Sequence, residues 1–184
     1  MQISFTTANS DLDLDQILIL QKENRPKNLS PQEIKAQGFV TVEHDFRLLK
    51  RMNSPHPHII AKADNQVVAY ALVMLSELRD DIPVLVPMFE KIDKLMVEGQ
   101  PMSDFSYVVM GQVCVAKTCR GQGVFGGLYQ KMAEEMKGDF DYIITEIATR
   151  NTRSIRAHER EGFTTLLEFD DGVEDWAIVG LKIP

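Results

Sequence analysis

The stretch 107–148 leaves this chain few folds to choose from. An apolar run, Tyr107–Val115, leads through a glycine-rich turn into a helix-like run at 128–137, and a second apolar run, Tyr142–Ala148, follows. Two strands joined through one helix lie parallel, and the crossover between them is right-handed. The turn reads Arg120-Gly121-Gln122-Gly123-Val124-Phe125-Gly126-Gly127. A turn that enters a helix leaves several N–H groups without intrahelical partners, and the helix dipole adds about half a positive charge at the same spot. Glycine allows positive φ and lets an anion approach with no Cβ in the way, while the planar fork of Arg120 matches phosphate oxygens. Such a spot suits a phosphate or a pyrophosphate.

The rest of the chain punctuates cleanly. Ile3–Thr7 reads as an opening strand, and residues 11–22 as an amphipathic helix carrying Leu12, Leu14, Ile17, Leu18 and Leu20. Ser30-Pro31-Gln32-Glu33 is a capping box with proline at the first helical position, which predicts a short helix. Residues 42–52 read as a helix with Phe46, Leu48 and Leu49 in its buried stripe, and 58–75 as a hairpin turning at Asp64-Asn65-Gln66. A helix over 81–96 must start late or kink at Pro83 and Pro87. Beyond the crossover helix at 123–137 come a helix over 151–161, with Asn151 as N-cap and Gly162 at its end, and strands over 163–169 and 176–182. The expected fold class is α/β of the α+β kind: a mixed, mostly antiparallel sheet with a central parallel strand pair, flanked by helices. Residues 1–184 are expected to form one domain, with an acceptor-side half at 1–103 and a cofactor-binding half at 104–184.

Composition removes whole classes of function. The formal charge is −7, from 20 basic and 27 acidic residues, which disfavours a nucleic-acid backbone as partner and is compatible with a cationic small molecule. No apolar run approaches the ~20 residues of a membrane helix, and no secretory signal opens the chain. Two cysteines, Cys114 and Cys119, fit reduced thiols in a cytoplasmic protein. His56 and His58 flank Pro57 with no third ligand at metal spacing, so no metal is expected.

Three phosphate ligands compete for the glycine turn. A nucleotide P-loop needs Gly-Lys-Ser/Thr at its end, where this chain has Gly126-Gly127-Leu128. A dinucleotide site is satisfied literally by Gly121, Gly123 and Gly126, with Glu146 about 20 residues on. Against it, residues 116–120 separate the first glycine from the strand, and too few strand-helix units follow to complete a doubly wound sheet. The third ligand is an acyl-coenzyme A. Arg120-Gly121-Gln122-Gly123 ahead of a helix resembles the pyrophosphate loop of GNAT-type N-acetyltransferases, with Phe125 standing where a small residue is usual. Asn151-Thr152-Arg153-Ser154-Ile155-Arg156-Ala157-His158-Glu159-Arg160-Glu161-Gly162-Phe163 resembles the same superfamily's downstream motif, and the two lie in the right order.

The resemblance implies a mechanism and its residues. An acceptor amine attacks acetyl-CoA directly, with no acyl-enzyme. Cofactor contacts are implied for the backbone of Val113, Cys114 and Val115 along the pantetheine arm, where one amide would serve as oxyanion donor. Arg120, Gly121, Gln122, Gly123, Val124, Phe125 and Gly126 would hold the pyrophosphate, and Asn151, Ser154 and His158 would meet the pantetheine and sulfur. His158 stands where the family usually has tyrosine, so an imidazole of ordinary pKa ~6.5 becomes the general acid. Its bland alternative is a surface histidine on a charged helix. Glu146 is the expected base, against the alternative of a solvent-facing strand-end charge. Glu43, His44 and Asp45 form a polar cluster in the region that lines the acceptor pocket in similar proteins.

The expected function is therefore acetyl transfer from acetyl-CoA to a small-molecule amine. A non-catalytic acyl-CoA binding or sensing module on the same fold is the rival from another class. An exposed edge strand near Trp176 offers itself for pairing in a homodimer.

Overall fold

The structure is a computed structural model that describes residues 2–30, 32, 40 and 42–184. Its strands are β1 (Ile3–Thr7), β2 (Ile59–Ala63), β3 (Gln66–Met74), β4 (Met96–Val97), β5 (Gln100–Pro101), β6 (Tyr107–Val115), β7 (Tyr142–Ala148), β8 (Thr164–Asp170) and β9 (Asp175–Lys182). The described α-helices are α1 (Asp11–Glu23), α2 (Phe46–Met52), α3 (Val86–Ile92), α4 (Val124–Met136) and α5 (Thr152–Arg160). The helix expected from the capping box at 30–33 lies outside the described residues.

Seven strands follow the order β1-β2-β3-β6-β7-β9-β8, and β4 pairs β5 in a separate ribbon. The crossover pair is parallel, Tyr107–Val109 against Tyr142–Ile144. The pairs β1–β2, β2–β3, β7–β9 and β8–β9 are antiparallel. This is the mixed sheet with a central parallel pair that the sequence predicts. Two compact units interleave along the chain, Met1–Val73 with Gly111–Glu135, and Met74–Met110 with Met136–Pro184.

The first unit holds β1, α1, α2, β2, most of β3, the C-terminal half of β6 and all but the end of α4. Ser10 opens α1 with a capping box: its hydroxyl accepts from Asp13 N at 3.2 Å, and the Asp13 carboxylate accepts from Ser10 N at 3.2 Å. The buried stripe of α1 is Asp13, Leu14, Ile17, Leu20 and Gln21, whereas Leu12 faces solvent. The β2–β3 hairpin turns through Asp64 and Asn65, both at positive φ (49° and 65°), as a tight two-residue turn requires. Ile17, Leu49, Met52, Ile59, Ile60, Tyr70, Leu72, Leu128 and Tyr129 fill its core.

Two helix expectations are corrected here and in the second unit. The helix expected over 42–52 begins only at Phe46, because Asp45 caps it by accepting from Leu48 N at 2.8 Å, and it buries Leu49 and Met52. The helix expected over 81–96 shrinks to α3, since 3₁₀ turns at Ser76–Asp81 and Pro83–Leu85 take the proline-bearing segment. Its tail becomes the β4–β5 ribbon, turning through Glu98 and Gly99 at φ 54° and 81°. The core of this second unit gathers Met74, Phe89, Ile92, Met102, Val108, Ile143, Ile144 and Ile178.

Candidate active site

In the first unit, β6 runs through Gln112, Val113, Cys114 and Val115 into a 3₁₀ turn at Lys117–Cys119, and then into the glycine turn. Gly121 and Gly123 sit at φ 74° and 77°, and a Cβ on either would meet nothing within 4 Å. The left-handed backbone thus demands glycine while the space in front of it stays open. The first intrahelical bond of α4 runs from Gly127 N to Gly123 O at 3.0 Å, so the N–H groups of the preceding turn point out along the axis. Phe125, the departure from the family pattern, turns its ring along the helix onto Tyr129, edge-on at 5.1 Å between centroids. Gly127 is a packing glycine: a Cβ there would lie 2.1 Å from the Phe5 ring.

Arg120 is anchored within the protein on two sides. Its Nε donates to Val115 O at 2.9 Å and its Nη2 to Asn24 Oδ1 at 2.7 Å. Gln122 Nε2 donates to Thr118 O at 2.8 Å. The guanidinium and the amide brace the turn against β6 and the end of α1. Beside this brace lies a cavity of about 670 Å³, lined by Lys22, Asn24 and Asn28 on one wall and Ala116, Lys117 and Thr118 on the other. Nothing in the sequence spacing announced it.

Behind β6 runs a closed chain of amides. Gln21 Nε2 donates to His44 Nδ1 at 2.9 Å and to Gln112 Oε1 at 3.0 Å, and Gln21 Oε1 accepts from His44 N at 3.0 Å. Tyr70 donates to Gln112 Oε1 at 2.7 Å, and Gln112 Nε2 donates to Val42 O at 2.9 Å. Burial pushes the His44 imidazole down to about 4, so the ring is neutral. Of the acceptor-side cluster expected at 43–45, His44 is committed to this chain, Asp45 caps α2 and Glu43 pairs with Arg25. Burial also pushes the Cys114 thiol up to about 12, which keeps it protonated and unfit to carry an acyl group.

In the second unit, Asn151 caps α5 by accepting from Ser154 N at 3.2 Å. His158 is buried at 1% exposure, against the surface position its charged neighbours suggested. Its Nδ1 stands 2.8 Å from Ser154 O, and its ring meets Phe163 edge-on at 5.0 Å. A ring nitrogen facing a carbonyl carries the proton, so Nε2 holds the lone pair in the neutral ring. Burial pushes this histidine down to about 4. At neutral pH its single proton is held by Ser154 O, which is not the arrangement of an imidazolium acid.

Glu146 lies within β7 opposite Ile178 of β9, half-buried and not at a solvent-facing end. Burial first, and then the charge of Asp171, push its carboxyl up to about 7. Among the described residues, no group of three His, Cys, Asp or Glu side chains is placed to hold a metal ion, and no helix is long and apolar enough to cross a membrane.

The sequence model of the acetyltransferase (GNAT) family matches residues 21–163. No curated protein matches the chain by sequence. Among solved structures, Ard1 from Thermoplasma volcanium is similar with a TM-score of 0.66 at 10% identity, covering 100% of this chain and 99% of the other. The ribosomal-protein-S18-alanine N-acetyltransferase of Escherichia coli matches with a TM-score of 0.63 at 12% identity, over 99% of this chain and 94% of its own. YncA of Salmonella typhimurium, solved with its cofactor acetyl-CoA, matches with a TM-score of 0.63 at 16% identity, over 100% of this chain and 95% of its own. At such identities these likenesses speak for the fold, and the family match, which spans well over half of the chain, for the lineage. The chain belongs to the GNAT acetyltransferase family.

Proposed function

We propose that this protein is an acetyl-CoA-dependent N-acetyltransferase acting on a small-molecule amine by direct attack. The observation that carries the reading is the open glycine turn ahead of α4, where Gly121 and Gly123 hold positive φ and face empty space. Support for the cofactor comes from the family match and from the acetyl-CoA of the YncA structure. In this reading the amides of 121–126 hold the diphosphate. The backbone of Val113–Val115, beyond the last β6–β7 pair at Val109 and Ile144, lies along the pantetheine arm.

The thioester supplies an activated acyl group. Glu146 takes one proton from the acceptor ammonium, the amine nitrogen bonds to the carbonyl carbon, and the carbon–sulfur bond breaks. The second amine proton ends on the sulfur, directly or by way of solvent, and Glu146 gives up the first to solvent, so the products are an amide, coenzyme A thiol and one released proton. A carboxyl held near 7 is well matched to this work, because a base poised near the working pH combines ionisation with driving force. The net charge of −7 favours a cationic acceptor.

Calorimetric titration with acetyl-CoA, followed by thiol release over panels of amines and of peptides, tests the reading. Tight binding with thiol release on amines supports it; release only on peptides would replace the acceptor class. Gly123→Ala is expected to weaken acetyl-CoA binding at least tenfold and, because an alanine is strained at φ 77°, to lower the melting temperature by a few degrees as well. The sensing module is favoured by one observation, the neutral His158 locked onto Ser154 O. Binding with no thiol release on any acceptor would establish it.

A further inference from the structure

The β8–β9 turn is built around one carboxylate. Asp171 Oδ1 accepts from Val173 N and Glu174 N, both at 2.8 Å, and Oδ2 accepts from Trp176 Nε1 at 2.9 Å. Gly172 supplies φ 86° so that the chain can fold back over the side chain. Three donors lower the Asp171 carboxyl from its ordinary value, first the two backbone amides and then the indole, so it stays charged.

That charge lies on the face that carries Glu146. Glu146 pairs with Ile178 and Ala148 with Trp176, so strand alternation sets these four side chains on one face of β7 and β9. Trp176, whose indole grips Asp171, is the diagonal neighbour of Glu146, at a spacing of about 7–8 Å that long side chains bridge. By the same alternation Asp175 of β9 and its partner Asp170, with Glu168 opposite Ala177, belong to the other face, Lys182 lies four residues along β9 from Ile178, and Glu174 is tied to Arg150. Lys91 of α3 stands over the Phe169 ring at 5.3 Å, and Tyr107–Met110 of β6 brings no formal charge. Of these groups, Asp171 is the one gripped by the diagonal neighbour of Glu146, and its charge adds to burial in raising the Glu146 carboxyl.

We propose that Asp171 is a positioning residue for catalysis: its immobilised carboxylate, presented to Glu146 by Trp176, sets the pH range over which Glu146 accepts the substrate's proton. The inference rests on the reading of Glu146 as base. Asp171 touches neither substrate nor cofactor in this account. It acts by repulsion, keeping a proton on Glu146 more firmly than burial alone and so making the carboxylate a stronger base once ionised.

The test joins two readouts on the full chain. Carbon-13 NMR of labelled glutamate, with the Glu146 signal assigned through Glu146→Gln, follows its titration in wild type, Asp171→Asn and Asp171→Glu. The pH profile of kcat/KM is recorded on the same three proteins. Asp171→Asn should lower the Glu146 midpoint by about half a unit or more and carry the acid limb of kcat/KM with it, while Asp171→Glu stays near wild type. An unmoved Glu146 midpoint in Asp171→Asn overturns the inference. A midpoint that moves while the acid limb stays put upholds the coupling of the two carboxylates and removes Glu146 as the base. If Asp171→Asn does not fold, Trp176→Phe takes its place: releasing one oxygen of Asp171 should shift the Glu146 midpoint, and an unmoved midpoint there also overturns the inference.

Discussion

At the scale of single residues, two side chains carry opposite lessons. Glu146 is expected to do chemistry in a place that costs stability. Its carboxyl is raised in the folded state, so its contribution to stability is full below the unfolded value of 4.5 and is lost as the pH rises through about 7. Glu146→Gln should therefore cut turnover by about 10²–10⁴-fold, the usual worth of a general base. The same variant should melt higher than wild type at pH 8 and no higher at pH 4.5, which differential scanning calorimetry reads directly. His158 points the other way. It is neutral, buried and packed on Phe163, so His158→Phe should keep the fold and lower turnover less than tenfold. A fall of a hundredfold with unchanged acetyl-CoA affinity would restore the imidazole as acid.

At the scale of elements, the docking of α4 onto β1 is decided by a missing side chain. A Cβ at Gly127 would reach 2.1 Å from the Phe5 ring, so Gly127→Ala should cost about 1–3 kcal/mol, typical of overpacking. Adding Phe5→Leu should recover much of the loss, and a denaturation cycle over the four proteins measures that coupling. Gly180 does similar service in β9, where a Cβ would lie 2.7 Å from Leu166 at the bulge of β8. Much of this level was legible beforehand. β1, β6 and β7 match their sequence ranges to the residue, because apolar runs there end at turn residues that allow no extension. The helix expected at 42–52 failed because periodicity cannot see that Val42 O and His44 N are tied to the side chains of Gln112 and Gln21 instead of to a helical ladder. The glycine turn was legible as an open turn at positive φ ahead of a helix, for its geometry is local to eight residues. The burial of His158, the repulsion between Glu146 and Asp171 and the bracing of Arg120 depend on strand register and on partners tens of residues away, which spacing along the chain does not encode.

For the molecule as a whole, acid is the predicted weakness. His44, His58 and His158 are all pushed from 6.5 down to about 4 by burial. Each contributes stability that is fully present above 6.5 and is lost as the pH falls through about 4, on the order of 3 kcal/mol apiece. His58 shows the cause most plainly: Nε2 donates to Leu49 O at 3.0 Å and Nδ1 accepts from Val73 N at 3.0 Å, so a second ring proton would confront an N–H. Circular dichroism should show cooperative unfolding between pH 6 and pH 4, and a fold intact at pH 4 would contradict the neutral histidines. The amide chain behind β6 has a consequence on a longer clock. Gln21, His44, Tyr70 and Gln112 each satisfy another member, so replacing any one with a hydrocarbon strands its neighbours. Descendants of this gene are thus expected to inherit the quartet whole or to discard it whole, with few viable intermediates between.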